Sequence, residues 1–174
     1  MKTHIALLRG INVSGQKKIK MADLRTALAN AGLTDVATYI QSGNVIFKAS
    51  AKSAALQKLI AQVIMKSFGF EVEVLVIEPD FIKEVVSNKP YDATGKEYFI
   101  LLFDEPSGEN LSNLKAIDFS PEEWAYAPGC IYLHLPNGAG RTKLSNNFFE
   151  NKLKVRATTR NLNTLNKLID LAGS

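Results

Sequence analysis

The order in which the hydrophobic period changes along the first 78 residues constrains the fold more than any composition figure. Residues 2–9 read as a strand, with Ile5, Leu7 and Leu8 among the apolar positions. Met21, Leu24 and Leu28, with Ala27 and Ala31, then recur at helical spacing, and Gly32 stands where a left-handed cap ends a helix. Two short strands, 36–40 and 45–47, flank Ser42-Gly43-Asn44, whose residues suit a turn. A second helix, capped by Ser53, carries Leu56, Leu59, Ile60, Val63, Ile64 and Phe68 on one stripe and stops at Gly69. Residues 71–77 begin with apolar–polar alternation and read as a strand. The order βαββαβ predicts a ferredoxin-like lobe: a four-stranded antiparallel sheet with two helices on one face.

The rest of the chain repeats much of this order. Pro79 suits the first turn of a helix reaching about Ser87, and 97–103 is a continuous apolar strand. Leu111, Leu114 and Ile117 mark a short helix, and strands 122–127 and 130–135 flank the turn Pro128-Gly129. A helix with Leu144, Phe148 and Leu153 comes next. A last helix, capped by Thr158 or Thr159, carries Leu162, Leu165, Leu168 and Ile169. The expected organisation is α+β: a ferredoxin-like lobe over 1–78, then a related lobe with an extra C-terminal helix over 79–174, packed as one body. Architecture is duplicated, without a residue-level repeat, and the boundary falls near Glu78-Pro79.

No apolar run reaches the roughly 18 residues of a membrane helix, and residues 5–8 are too short for a secretory core before Arg9 interrupts. A single cysteine, Cys130, excludes an internal disulfide and fits a reducing compartment. The expected location is the cytoplasm, with no membrane partner. Charge is unevenly spread. Residues 1–78 hold 10 Lys/Arg and 5 Asp/Glu, 79–137 hold 4 and 10, and 138–174 hold 7 and 2. Two basic ends around an acidic middle point to an anionic ligand near the ends.

The stretch between the first strand and first helix concentrates that charge. Residues 9–20 contain Arg9, Lys17, Lys18 and Lys20, two glycines and no acid. In the expected sheet the first and third strands are antiparallel neighbours, so this loop meets the 41–44 turn. That brings Arg9, Gly10, Asn12 and Ser14 near Gln41, Ser42 and Asn44. Glycine lets backbone approach a ligand closely, and Arg9 can offer paired hydrogen bonds to a phosphate or carboxylate. Thr159, Arg160 and Asn161 form another polar cluster at a helix start, and residues 138–143 a further basic loop. The same residue types also serve ordinary turns and caps.

Other chemistries find little support. Gly10-x4-Gly15 lacks the Gly-Lys-Ser/Thr of a phosphate-binding loop and has no parallel sheet around it. His4 and His134 lie in predicted strands without metal-ligand spacing, which favours structural roles, and no metal or cofactor is expected. Cys130 follows a turn within a strand and has no Cys partner, which leaves a nucleophile as the minor reading, and Asp104-Glu105 and Glu122-Glu123 read as exposed charge. Of the central strands only Phe47 offers a base-stacking aromatic, which weakens an RNA-binding reading.

Four stretches carry a resemblance: Leu8-Arg9-Gly10-Ile11-Asn12-Val13, Lys20-Met21-Ala22-Asp23-Leu24, Tyr39-Ile40-Gln41-Ser42-Gly43-Asn44-Val45 and Ala157-Thr158-Thr159-Arg160-Asn161. With these the chain resembles the bacterial family of unknown function numbered 1697. The resemblance implies an α+β fold with ferredoxin-like lobes and no particular activity. Family sequences often carry Trp in the final motif, where this chain has Leu162.

The expected function is therefore binding of an anionic partner, a phosphorylated small molecule or nucleic acid, at a polar cleft formed by Arg9, Asn12, Gln41, Ser42, Asn44, Thr159, Arg160 and Asn161. The alternatives are a metal-independent enzyme and a structural or partner-binding module. No catalytic residue is assigned, and neither the ligand nor the oligomeric state follows from these residues.

Overall fold

Two four-stranded antiparallel sheets organise the chain, each with its own helices. The computed structural model describes residues 1–92 and 96–173. The first sheet contains β1 (Lys2–Leu8), β2 (Thr34–Tyr39), β3 (Asn44–Ala49) and β4 (Val74–Ile77), in the order β2-β3-β1-β4. The second contains β5 (Glu97–Leu102), β6 (Glu123–Ala127), β7 (Cys130–His134) and β8 (Ala157–Asn161), in the order β6-β7-β5-β8. The orders are the same once the strands are counted from the start of each sheet. Six helices stand among the described residues: α1 (Met21–Asn30), α2 (Ser53–Phe68), α3 (Pro79–Ser87), α4 (Gly108–Lys115), α5 (Asn146–Leu153) and α6 (Leu162–Ala172).

The chain divides into one compact unit of residues 1–84 with 166–174 and another of 85–165. The boundary expected near Glu78-Pro79 stands at the start of α3, and the division falls within that helix. The end of α6, assigned from sequence to the second lobe, groups with the first unit.

Period decides what each unit buries. In the first, alternate residues Ala6 and Leu8 of β1, Val45 and Phe47 of β3, and Val74 and Val76 of β4 join one core with Leu24 and Leu28 of α1 and Leu56, Ile60 and Ile64 of α2. In the second, Ile100 and Leu102, Ile131 and Leu133, and Ala157 meet Leu114 of α4 and Phe149 and Leu153 of α5. His4 is buried opposite Phe47 across the β1–β3 ladder and stacks on its ring at 5.6 Å. Neither of its ring nitrogens has a hydrogen-bond partner.

Three local expectations are corrected. Residues 157–161 form β8, so the second half is βαββαβ, with the short 3-10 turn Ala139–Arg141 before α5. Tertiary pairing with β5 overrides the cap-like look of Thr158 and Thr159. The α6 cap is Asn161, whose Oδ1 accepts from the Thr164 N–H at 2.9 Å. Ser53 is the first residue of α2, and Lys52 before it makes no side-chain cap. In α5 the fully buried aromatic is Phe149, one residue beyond Phe148, because the helix starts after Ser145, which caps the Phe148 N–H.

Candidate functional site

Because β1 and β3 are antiparallel neighbours, the loop leaving β1 and the turn entering β3 share one end of the first sheet. The Leu8 N–H donates to the Gly43 carbonyl at 2.8 Å. Asn12 ties the two segments together. Its Nδ2 donates to the Gln41 carbonyl (2.8 Å) and the Ile19 carbonyl (3.1 Å), and its Oδ1 accepts from the Ile19 N–H (2.8 Å). Asn44 is fully buried, and its Nδ2 donates to the Tyr39 carbonyl (3.1 Å) and Ser42 Oγ (3.0 Å). Gly43 is required by space as well as by its φ of +81°: a Cβ there would lie 2.7 Å from Leu8 Cβ. Asn12, Gln41, Ser42 and Asn44 are thus brought together, with Gln41 and Ser42 exposed, whereas Arg9, one residue beyond Leu8, makes its contacts with Glu73, on the β4 side of β1.

The backbone here is unusually left-handed. Asn12, Ser14, Lys17 and Ile40 have φ of 54°, 50°, 45° and 49°, alongside Gly10, Gly15 and Gly43. Ile40 is half exposed as well, and a β-branched residue in that conformation costs on the order of 1–3 kcal/mol. Nothing in the sequence announces it, because isoleucine is among the residues least suited to positive φ.

On the β4 side of the same strand end lies a hollow of about 530 Å³, lined by Arg9, Lys17, Ala61, Gln62, Met65, Glu71, Val72 and Glu73. Two residues of the loop fasten it to the 71–73 segment. The Arg9 N–H donates to the Glu73 carbonyl (3.0 Å), Arg9 Nη1 meets Glu73 Oε2 (3.2 Å), and Lys17 Nζ donates to the Glu71 carbonyl (2.8 Å). Arg9 and Glu73 side chains are 35% and 38% exposed, so their ion pair contributes only about 0–1 kcal/mol and yields readily to a competing anion. Lys18 and Lys20 are exposed on the same loop. Sequence reasoning missed Gln62, Met65, Glu71 and Glu73; Glu71-Val72-Glu73 was legible only as strand alternation.

Thr159, Arg160 and Asn161 lie on β8, in the second unit. Thr159 Oγ1 donates to Asn146 Oδ1 at 2.9 Å. Arg160 Nη1 donates to Thr158 Oγ1 and to the Thr159 carbonyl, both at 2.8 Å. Burial of the guanidinium pushes its pKa down to about 10, which leaves it a cation at neutral pH. Asn161 caps α6.

The second unit has an equivalent of the first unit's loop end. The Leu102 N–H donates to the Gly129 carbonyl and the Phe103 N–H to the Arg156 carbonyl, both at 2.9 Å. The connection from β5 to α4 spans only residues 103–107. Its acids are engaged: Asp104 with Arg156 (3.2 Å) and Glu105 with the Tyr126 hydroxyl, whose pKa this bond pushes up to about 12. Among the described residues no group of three or more His, Cys, Asp or Glu is placed to hold a metal, and no helix is long and apolar enough to cross a membrane.

The fold defines an α+β protein of two four-stranded antiparallel sheets and six helices among its described residues, with its longest basic loop at one end of the first sheet. The chain belongs to the family described as protein of unknown function (DUF1697), whose sequence model matches residues 1–132. The Ala157–Asn161 motif lies beyond the matched residues. The conserved bacterial protein SP0830 from Streptococcus pneumoniae has a similar structure, with a TM-score of 0.76 over 98% of each chain at 20% identity. That likeness concerns the fold. No curated protein matches the chain.

Proposed function

We propose that this protein binds an anionic ligand, a phosphorylated small molecule or a nucleic acid, at the loop end of the first sheet. The observation that carries this reading is the contrast between two equivalent strand ends. The first unit bears a long loop with four cations and no acid, beside a hollow lined by Arg9 and Lys17. The second bears a short acidic connection engaged with its own side chains. Arg9 and Lys17 supply charge, Gln41 and Ser42 add exposed polar groups on the adjoining turn, and Asn12 and Asn44 hold the backbone that presents them. Thr159, Arg160 and Asn161 are a second candidate contact set. The same reading takes both units as ferredoxin-like lobes, divided near residue 78, in a cytoplasmic protein.

The test is a thermal-shift screen of the intact protein against inorganic phosphate, nucleotides and oligonucleotides. The expected result is a rise in Tm with at least one phosphate-bearing compound, lost in Arg9→Ala/Lys17→Ala while the unliganded Tm stays within a few degrees. Binding that weakens steeply with salt identifies nucleic acid, and shallow salt dependence a small molecule. An unchanged Tm with every anion, at low salt, refutes the reading.

A further inference from the structure

The hollow beside the basic loop is not uniformly positive. Arg9 and Lys17 bring two positive charges from the loop, and Glu71 and Glu73 bring two negative charges from the facing segment. Ala61 and Met65 of α2, with Val72, give the hollow apolar surface, and Met65 is 49% exposed. The two acids differ. Glu73 is paired with Arg9, whereas Glu71 is exposed and, among the described residues, is held through its backbone carbonyl, to Lys17, with no ion pair on its carboxylate. A purely anionic ligand would sit against an acidic side chain that lacks a matching cation, and like charges at close range are repelled.

We propose that the hollow takes a small zwitterion with an apolar body: its carboxylate or phosphate at Arg9 and Lys17, its ammonium at Glu71, and its hydrocarbon part over Met65, Ala61 and Val72. This rests on the anion-binding reading and narrows it to one ligand class. Arg9 meets the ligand's acid by exchanging Glu73 for it. Lys17 keeps its bond to the Glu71 carbonyl, since an ammonium carries three donors. Glu71 then receives the cationic end, and burial of the apolar body against exposed Met65 adds hydrophobic contact. About 530 Å³ accommodates a ligand of amino-acid to dipeptide size.

The test compares probes of matched length by thermal shift and calorimetry: 6-aminohexanoate, hexanoate and hexylamine, with inorganic phosphate as a separate arm. The expected result is that 6-aminohexanoate binds at least several-fold tighter than hexanoate or hexylamine. Glu71→Gln then reduces it to the level of hexanoate, without changing the Tm of the unliganded protein, and Arg9→Ala abolishes both. Hexanoate binding as tightly as the zwitterion overturns the inference and leaves anion binding standing. Phosphate binding with no response to any of the three hexyl compounds does the same. No response to any probe, phosphate included, overturns both.

Discussion

Leu8 and Leu102 hold the same position in their sheets. Each ends a central strand, each donates its N–H to a glycine carbonyl in the neighbouring turn, and each precedes a residue bonded to the opposite edge segment. The residues that come next differ. After Leu8 stands Arg9, paired with Glu73 at the wall of a hollow; after Leu102 stands Phe103, with the Arg156 guanidinium 5.2 Å from its ring centre. The next position in the partner turn differs too: Asn44 starts β3 and Cys130 starts β7, and both are fully buried. One backbone plan therefore supports an elaborated polar end in one unit and a tightly finished end in the other. The strand ladder fixes where the loops emerge, and loop length with side-chain identity decides whether anything is left exposed there.

Four substitutions probe that contrast. The largest effect is expected at Gly43→Ala, which forces a side chain at φ +81° into Leu8. Strain and overlap together should cost about 3 kcal/mol, read as a lowered urea midpoint, and a cost below about 1 kcal/mol would show that the turn shifts freely.

The exchange of equivalents comes next. Cys130→Asn buries a carboxamide where the native thiol needs no partner, and should cost about 2–3 kcal/mol. Asn44→Cys removes the donor to the Tyr39 carbonyl and should cost about 1–2 kcal/mol. If Cys130→Asn were the milder change, the second turn would already offer an amide its partners, and the distinction between the turns would fail.

The smallest effect is at Tyr126→Phe, which frees Glu105. Here the folded pKa lies above the ordinary value of 10, at about 12, so the bond's contribution is complete below pH 10 and disappears as pH rises through 12. Wild type should exceed the variant by about 1 kcal/mol at pH 8 and lose that advantage between pH 10 and 12. A difference independent of pH would mean that the hydroxyl acts by packing alone.

Much of this arrangement is legible in the residues. The spacing of Leu24 and Leu28, and of Leu56, Ile60 and Ile64, marks the helices that cover the first sheet. The adjacency of strands one and three in a βαββαβ order is enough to bring the loop after the first strand to the 41–44 turn, where Asn12 meets the Gln41 carbonyl; that Arg9 turns to Glu73 on the other side is not legible there. Other features leave no such trace. β8 is hidden because Ala157-Thr158-Thr159-Arg160-Asn161 has the polarity of a helix cap and becomes a strand only through its ladder with β5. The left-handed Ile40 runs against local preference, so only tertiary constraint produces it. Glu71 and Glu73 acquire meaning from facing Arg9 and Lys17, a contact across more than fifty residues of chain. Periodicity reports burial along one element and says nothing about which loops will face each other.

Two of the four edge strands, β4 and β8, carry a further consequence. On β4 the outward N–H of Val76 is already bonded to Gln57 Oε1 of α2 at 3.1 Å. On β8 both outward groups of Ala157 are occupied, its N–H by Glu150 and its carbonyl by Asn146. An incoming strand from another molecule would find no vacant ladder at these places, so runaway cross-chain pairing into fibrils is blocked there by three polar side chains from helices. Replacing Gln57, Asn146 and Glu150 by alanine would expose those rungs, and the cost would surface as aggregation on storage before it surfaced in a melting curve.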